Sequence, residues 1–127
     1  MGILPIDLKG LGLQALIDTA LKSLEQMLRP NMSLDEVAEK LSPRVDNIIT
    51  KHINEGNKYA AGKFKIFAEE NEKFAVNFEL YFKDTDGKWL KVTSNSQALD
   101  AKEWLSPEAI NELQEAREKV YDITAPE

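Results

Sequence analysis

His52 is the only histidine in the chain, and its side chain type is the one whose ordinary titration range suits general acid–base work near neutral pH. Such work needs a partner acid or a nucleophile beside the ring. Asp46 and Glu55 are close in sequence, but neither stands at a triad or metal-ligand spacing. His52 follows Ile48 by four residues, on the same side of a helix, so it reads as a residue packed at a helix boundary. The chain has no cysteine, which excludes thiolate zinc sites, iron–sulfur clusters, disulfide scaffolds and cysteine nucleophiles.

Carboxylates offer three further arrangements. Asp84 and Asp86 precede Gly87 as in a calcium loop, yet an EF-hand needs an acidic ligand two positions earlier and a glutamate at its twelfth position. Phe82 and Thr93 stand there, so the segment reads as a turn. Glu69, Glu70 and Glu72 read as a solvated hairpin tip, since adjacent loop carboxylates repel without a fixed cation. Glu108, Glu112 and Glu115 read as a solvated helix face interrupted by Arg117 and Lys119. Gly10 and Gly12 lack the third glycine and the preceding strand of a dinucleotide fingerprint, and no Gly-Lys-Ser/Thr sequence occurs. No catalytic, cofactor or metal residues are expected, and the chain is read as a non-enzyme.

The residues with the best claim to a role are aromatics interleaved with charge. Phe67, Tyr81 and Trp89 alternate along their strands with apolar residues and fall on one side with Lys65, Lys83 and Lys91. Mixed aromatic and cationic surfaces suit partner recognition. The competing expectation is that Trp89 stacks on Lys83 across a hairpin and that a further helix covers the rest.

The elements that would position these residues start with Phe74, Val76, Phe78, Leu80 and Phe82, every second residue of a strand. The Asp84-Thr85-Asp86-Gly87 turn sets Asp84 opposite Lys88. Counting back pairs Phe82 with Leu90, Leu80 with Val92, Lys83 with Trp89 and Tyr81 with Lys91. Upstream, Phe64, Ile66 and Ala68 alternate with Lys63, Lys65 and Phe67, which pairs Phe64 with Phe78, Ile66 with Val76 and Lys63 with Glu79. The result is a three-stranded antiparallel meander over Lys63 to Ser94.

Helices flank it. A broad apolar stripe predicts a helix from about Leu11 to Leu28, stopped by Pro30, that either packs on the sheet or forms a helical dimer interface. Ser33 and Glu36 form a capping box opening a short helix to Leu41. Ser42-Pro43 predicts a break before a second piece to about Asn54, with Val45, Ile48, Ile49 and Ile53 inward. Asn95 to Leu105 reads as a loop with one helical turn. Ser106-Pro107-Glu108 starts a last helix expected to end near Tyr121, with Ile110, Leu113, Ala116 and Val120 facing the core. The fold class is α+β, one domain over residues 1–127, with helices on the apolar sheet face.

A formal charge of −6 opposes binding to phosphate backbones, and the lysines are scattered along the sequence, so no nucleic-acid partner is expected. No apolar run approaches the ~20 residues of a membrane-spanning helix. The first residues show no basic region ahead of an apolar run, and Ile6 stands where N-myristoylation requires Ser or Thr. A cytoplasmic location is therefore expected, without membrane contact. The functional expectation is a small acidic protein-interaction or regulatory module that binds another protein or itself as a homodimer. The alternative is a small-molecule-binding domain, its cavity lined by Phe64, Phe74, Phe78 and Phe82 between sheet and helices.

Overall fold

A computed structural model describes residues 24–124, and its organising element is the central strand of an antiparallel sheet. Strand β1 spans Lys58–Glu69, β2 Lys73–Lys83, β3 Trp89–Asn95, β4 Leu99–Asp100 and β5 Glu118–Asp122. The strand order is β3-β2-β1-β5, with β4 continuing alongside β2 beyond β3. Helices α1 (Leu24–Met27), α2 (Leu34–Asn54), α3 (Ala101–Trp104) and α4 (Pro107–Ala116) complete an α+β arrangement.

The register read from the alternation is the observed one. Phe64 pairs with Phe78, Ile66 with Val76 and Lys63 with Glu79, while Leu80 pairs with Val92 and Lys83 with Trp89. The turn chemistry explains this agreement. Asp84 Oδ1 accepts from the backbone N–H groups of Asp86 and Lys88, and Gly87 takes the positive φ of 79° that closes a bulged turn. Phe74, Val76, Phe78, Leu80 and Phe82 are all fully buried. Each such side chain contributes roughly 1.5–3 kcal/mol of transfer free energy, so a one-residue slip would forfeit most of the core.

The capping box at Ser33 and Glu36 is formed as expected, but α2 does not break at Ser42-Pro43. It runs continuously through Pro43. Ser42, Pro43 and Arg44 lie on its exposed side, so the carbonyl that loses its helical partner lies on the solvent side. Val37, Leu41, Val45, Ile48 and Ile49 form one buried stripe across the proline, and that packing outweighs the local penalty. The stripe continues at His52, whereas Ile53, expected inward, is 41% exposed. The helix ends in a Schellman motif: Asn57 N–H donates to the His52 carbonyl, Gly56 N–H donates to that of Ile53, and Gly56 carries φ 99°.

The largest departure from expectation follows α4. That helix stops at Ala116 instead of near Tyr121, because Arg117 adopts the left-handed conformation with φ 68°. The next five residues pair with β1 as β5, setting Phe64 opposite Tyr121 and Lys65 opposite Val120. The meander is thereby part of a five-stranded sheet. Ala109 and Leu113 are buried as helix residues, but Ala116 is exposed and Val120 is 44% exposed. Asn95 to Leu105 holds the expected single helical turn, α3, and in addition the two-residue β4. Most of the helix expected over Leu11 to Leu28, with its dimer reading, lies outside the described residues; within them α1 is its carboxyl-terminal turn, followed by buried Leu28.

Candidate functional site

Alternation along β1, β2, β3 and β5 divides the sheet into a buried inner face and an outer face. The inner residues join those of α2, α3 and α4 in one apolar cluster. Among the described residues, no helix contributes to the outer face, and all six residues singled out in the sequence fall on it.

The structure separates those six into two groups. Tyr81, Lys83, Trp89 and Lys91 form two adjacent rows at the β2–β3 turn end. Trp89 is 65% exposed, with Lys83 Nζ 5.0 Å from its ring centroid. Tyr81 is half-buried beneath Lys91, whose Nζ lies 5.8 Å from the ring. Glu79 ties this row together: it accepts from the Tyr81 hydroxyl at 3.2 Å and lies 3.9 Å from Lys91 Nζ. Phe67 and Lys65 stand at the opposite end. Phe67 pairs with Ala75, six residues back along β2 from Tyr81, or about 20 Å at the usual strand rise. Lys65 is engaged there by Glu118 at 3.8 Å.

Several outer-face residues escaped the sequence reading, namely Lys58 and, on β5, Glu118, Val120 and Asp122. Lys58 lies directly opposite Lys83, an arrangement that is locally repulsive. It was missed because β1 begins five residues earlier than its alternation shows, with an irregularity between Tyr59 and Ala61. Val120 was placed on a helix that does not extend that far. On the strand face around Trp89 and Tyr81, Lys58, Lys63, Lys83 and Lys91 accompany two carboxylates, Glu79 and Asp122, while Asp84 and Asp86 stand in the adjoining turn. The strand face is thus rich in lysine on an acidic chain.

On the other side of the molecule a cleft of about 410 Å³ opens between α2 and β5, bordered by Ala38, Leu41, Val45, Phe64 and Tyr121. Of the four phenylalanines expected to line a cavity between sheet and helices, Phe64 borders this cleft, while Phe74, Phe78 and Phe82 are sealed in the core. At one end, Asp35 accepts from the Tyr121 hydroxyl at 2.7 Å and lies 3.2 Å from Lys119 Nζ. The Tyr121 hydrogen bond, and then Lys119, hold the Asp35 carboxyl below its ordinary range. Burial, followed by the bond to Asp35, pushes the Tyr121 phenol up. Lys119 is also held above its usual value, first by its bond to Glu112 at 3.0 Å.

His52 sits in neither place. Its ring stacks on Phe82 with centroids 4.4 Å apart, and Nδ1 lies 3.3 Å from the Asn57 amide nitrogen. This buried polar contact joins the two ends of the Schellman motif, where an apolar contact is usual. Asp46, its neighbour in sequence, borders the cleft. At the β1–β2 hairpin tip, Glu72 is 3.0 Å from Lys102 Nζ. No helix of the described residues is long and apolar enough to cross a membrane. No protein-family model matches the chain, and neither a curated protein nor a solved structure shows significant similarity to it.

Proposed function

We propose that this chain is a non-enzymatic protein-interaction module whose outer sheet face, centred on Trp89, receives an acidic segment of another protein. The observation that carries this reading is the exposure of Trp89 on a sheet face that no helix covers among the described residues, beside strand-face lysines that outnumber the carboxylates. An exposed tryptophan brings no core stability, whereas buried at an interface it concentrates binding energy. Lys58 and Lys83 repel each other in the isolated chain, and a partner carboxylate between them relieves that repulsion. The lysines also explain why an otherwise acidic chain attracts an acidic partner: complementarity is set by the local field at the docking face, not by net charge.

Selection of displayed peptides on the purified chain tests the reading. Peptides rich in Asp or Glu with an apolar anchor are expected. Their affinity should drop by ~1–4 kcal/mol in Trp89→Ala while the melting temperature stays put, and should weaken with added salt. Selected peptides that bind Trp89→Ala as tightly as the parent would remove the surface from consideration. A second reading, small-molecule binding, rests on the α2–β5 cleft, whose rim carries Asp35, Glu39 and Asp46. It calls for a ligand with an apolar body and a cationic group. A screen of aryl and alkyl amines checks it, with Glu39→Gln expected to weaken any hit.

A further inference from the structure

Strand β3 borders the Trp89 surface, and its hydrogen-bonding parity shows what its far edge offers. Asp84 N–H donates to the Lys88 carbonyl and Ser96 N–H to the Val76 carbonyl, and the β2–β3 register is unbroken between Asn77–Asn95 and Lys83–Trp89. Hydrogen-bonded pairs alternate with non-hydrogen-bonded ones in an antiparallel ladder, so the even-numbered residues of β3 bond to β2. The N–H and C=O groups of Trp89, Lys91 and Thr93 therefore point away from the sheet. Among the described residues no strand pairs with that edge.

We infer that this edge binds an extended acidic segment of a partner protein as an added strand, antiparallel or parallel to β3. This mode of binding rests on the interaction reading given above and specifies it. Backbone groups of Trp89, Lys91 and Thr93 supply the ladder, as in other cases of strand addition. Every second side chain of the incoming strand then lies on the outer face beside Trp89 and Lys91. Carboxylates at those positions meet Lys91, with Lys83 one strand further in and Lys58 beyond it. Natural sheets usually blunt a regular edge with lysine, proline, a bulge or inward charge. Lys91 is the only one of these devices in β3, where it deters a like-charged strand and not an acidic one. In β3 the pairing has no irregularity, the strand contains no proline, and Lys91 is its one charged residue.

Charge selects the occupant over a second copy of the chain. Pairing β3 with its own copy about Lys91 sets the two lysines directly opposite one another. Any neighbouring register still brings two surfaces carrying Lys83 and Lys91 side by side, and like charges across a sheet are destabilising. An acidic strand reverses the sign of every one of these contacts.

The probe is a synthetic peptide of alternating Glu and Val, seven residues long, added to the full chain and followed by amide exchange and by titration. The amides of Trp89, Lys91 and Thr93 are expected to slow by about tenfold or more at saturation. N-methylation of alternate peptide residues should abolish binding in one parity and spare it in the other. Trp89→Ala should weaken both the parent and the spared peptide. If Trp89→Ala weakens binding but the three amides stay fast and methylation shows no parity, strand addition is overturned and the surface reading survives. If the peptide does not bind at millimolar concentration, or binds Trp89→Ala equally, the acidic-strand assignment fails. Slowing of the same amides with protein concentration alone would make a second copy the occupant and overturn the inference.

Discussion

Gly62 and Gly87 show how differently two glycines can be required. Gly87 has φ 79°, and a Cβ built on it meets nothing within 4 Å, so Gly87→Ala acts through backbone conformation alone. A loss of about 1 kcal/mol is expected, and asparagine, which tolerates the left-handed region, should recover part of it. Gly62 has ordinary dihedrals but no space: a Cβ there would collide with the Tyr59 hydroxyl and stand 2.7 Å from Leu80 Cδ2. Gly62→Ala should cost ~1–3 kcal/mol by overpacking. Combining it with Tyr59→Phe, which removes the colliding oxygen and its bond to the Ile123 carbonyl, should cost less than the sum of the two. Denaturant midpoints of the single and double variants check this coupling, and strict additivity would show that Tyr59 does not set the requirement. The turn glycine was legible in sequence because Asp84 and Gly87 belong to one local motif. Gly62 was not, because its crowding comes from a ring across an irregular stretch of β1 and from the neighbouring strand.

At the scale of elements, α2, α4 and β5 are joined through one polar cluster. Asp35, in the first turn of α2, binds Tyr121 and Lys119 of β5, and Lys119 also reaches Glu112 of α4. Because the folded-state pKa of Asp35 is lowered, its contribution to stability is present above the ordinary carboxylate value and is lost as pH falls through the folded value. The gap in urea stability between the parent and Asp35→Asn should therefore exist at pH 7 and close under acid. The pair is exposed, so the gap should be no more than about 1 kcal/mol. A gap that widens under acid would reverse the assigned sign. The start of α2 was readable because Ser33 and Glu36 cap it locally. The end of α4 was not: Arg117 takes a left-handed conformation without being glycine or asparagine. What recruits Glu118 to Asp122 is the open side of β1, more than fifty residues earlier. Pattern reading sees the alternation of a strand only when it knows that a partner edge is waiting.

For the whole molecule, the sheet imposes a hierarchy of stability. Strand β2 is bonded on both sides along its length, by β1 on one edge and by β3 and β4 on the other, and its five inner residues are fully buried. Its amides should exchange only through global unfolding, while those of β5, a five-residue edge strand, open at lower cost. Strand β3 should show a mixed pattern that neither burial nor position in sequence accounts for. Leu90 and Val92 bond to β2 and should be protected, whereas Trp89, Lys91 and Thr93 should exchange within about tenfold of an unfolded chain. Residue-resolved hydrogen exchange of the free protein at low concentration reads this directly. Uniform protection along β3 would mean that its outer edge is already paired in the isolated chain, and the surface around Trp89 would then have no adjoining edge to offer a partner.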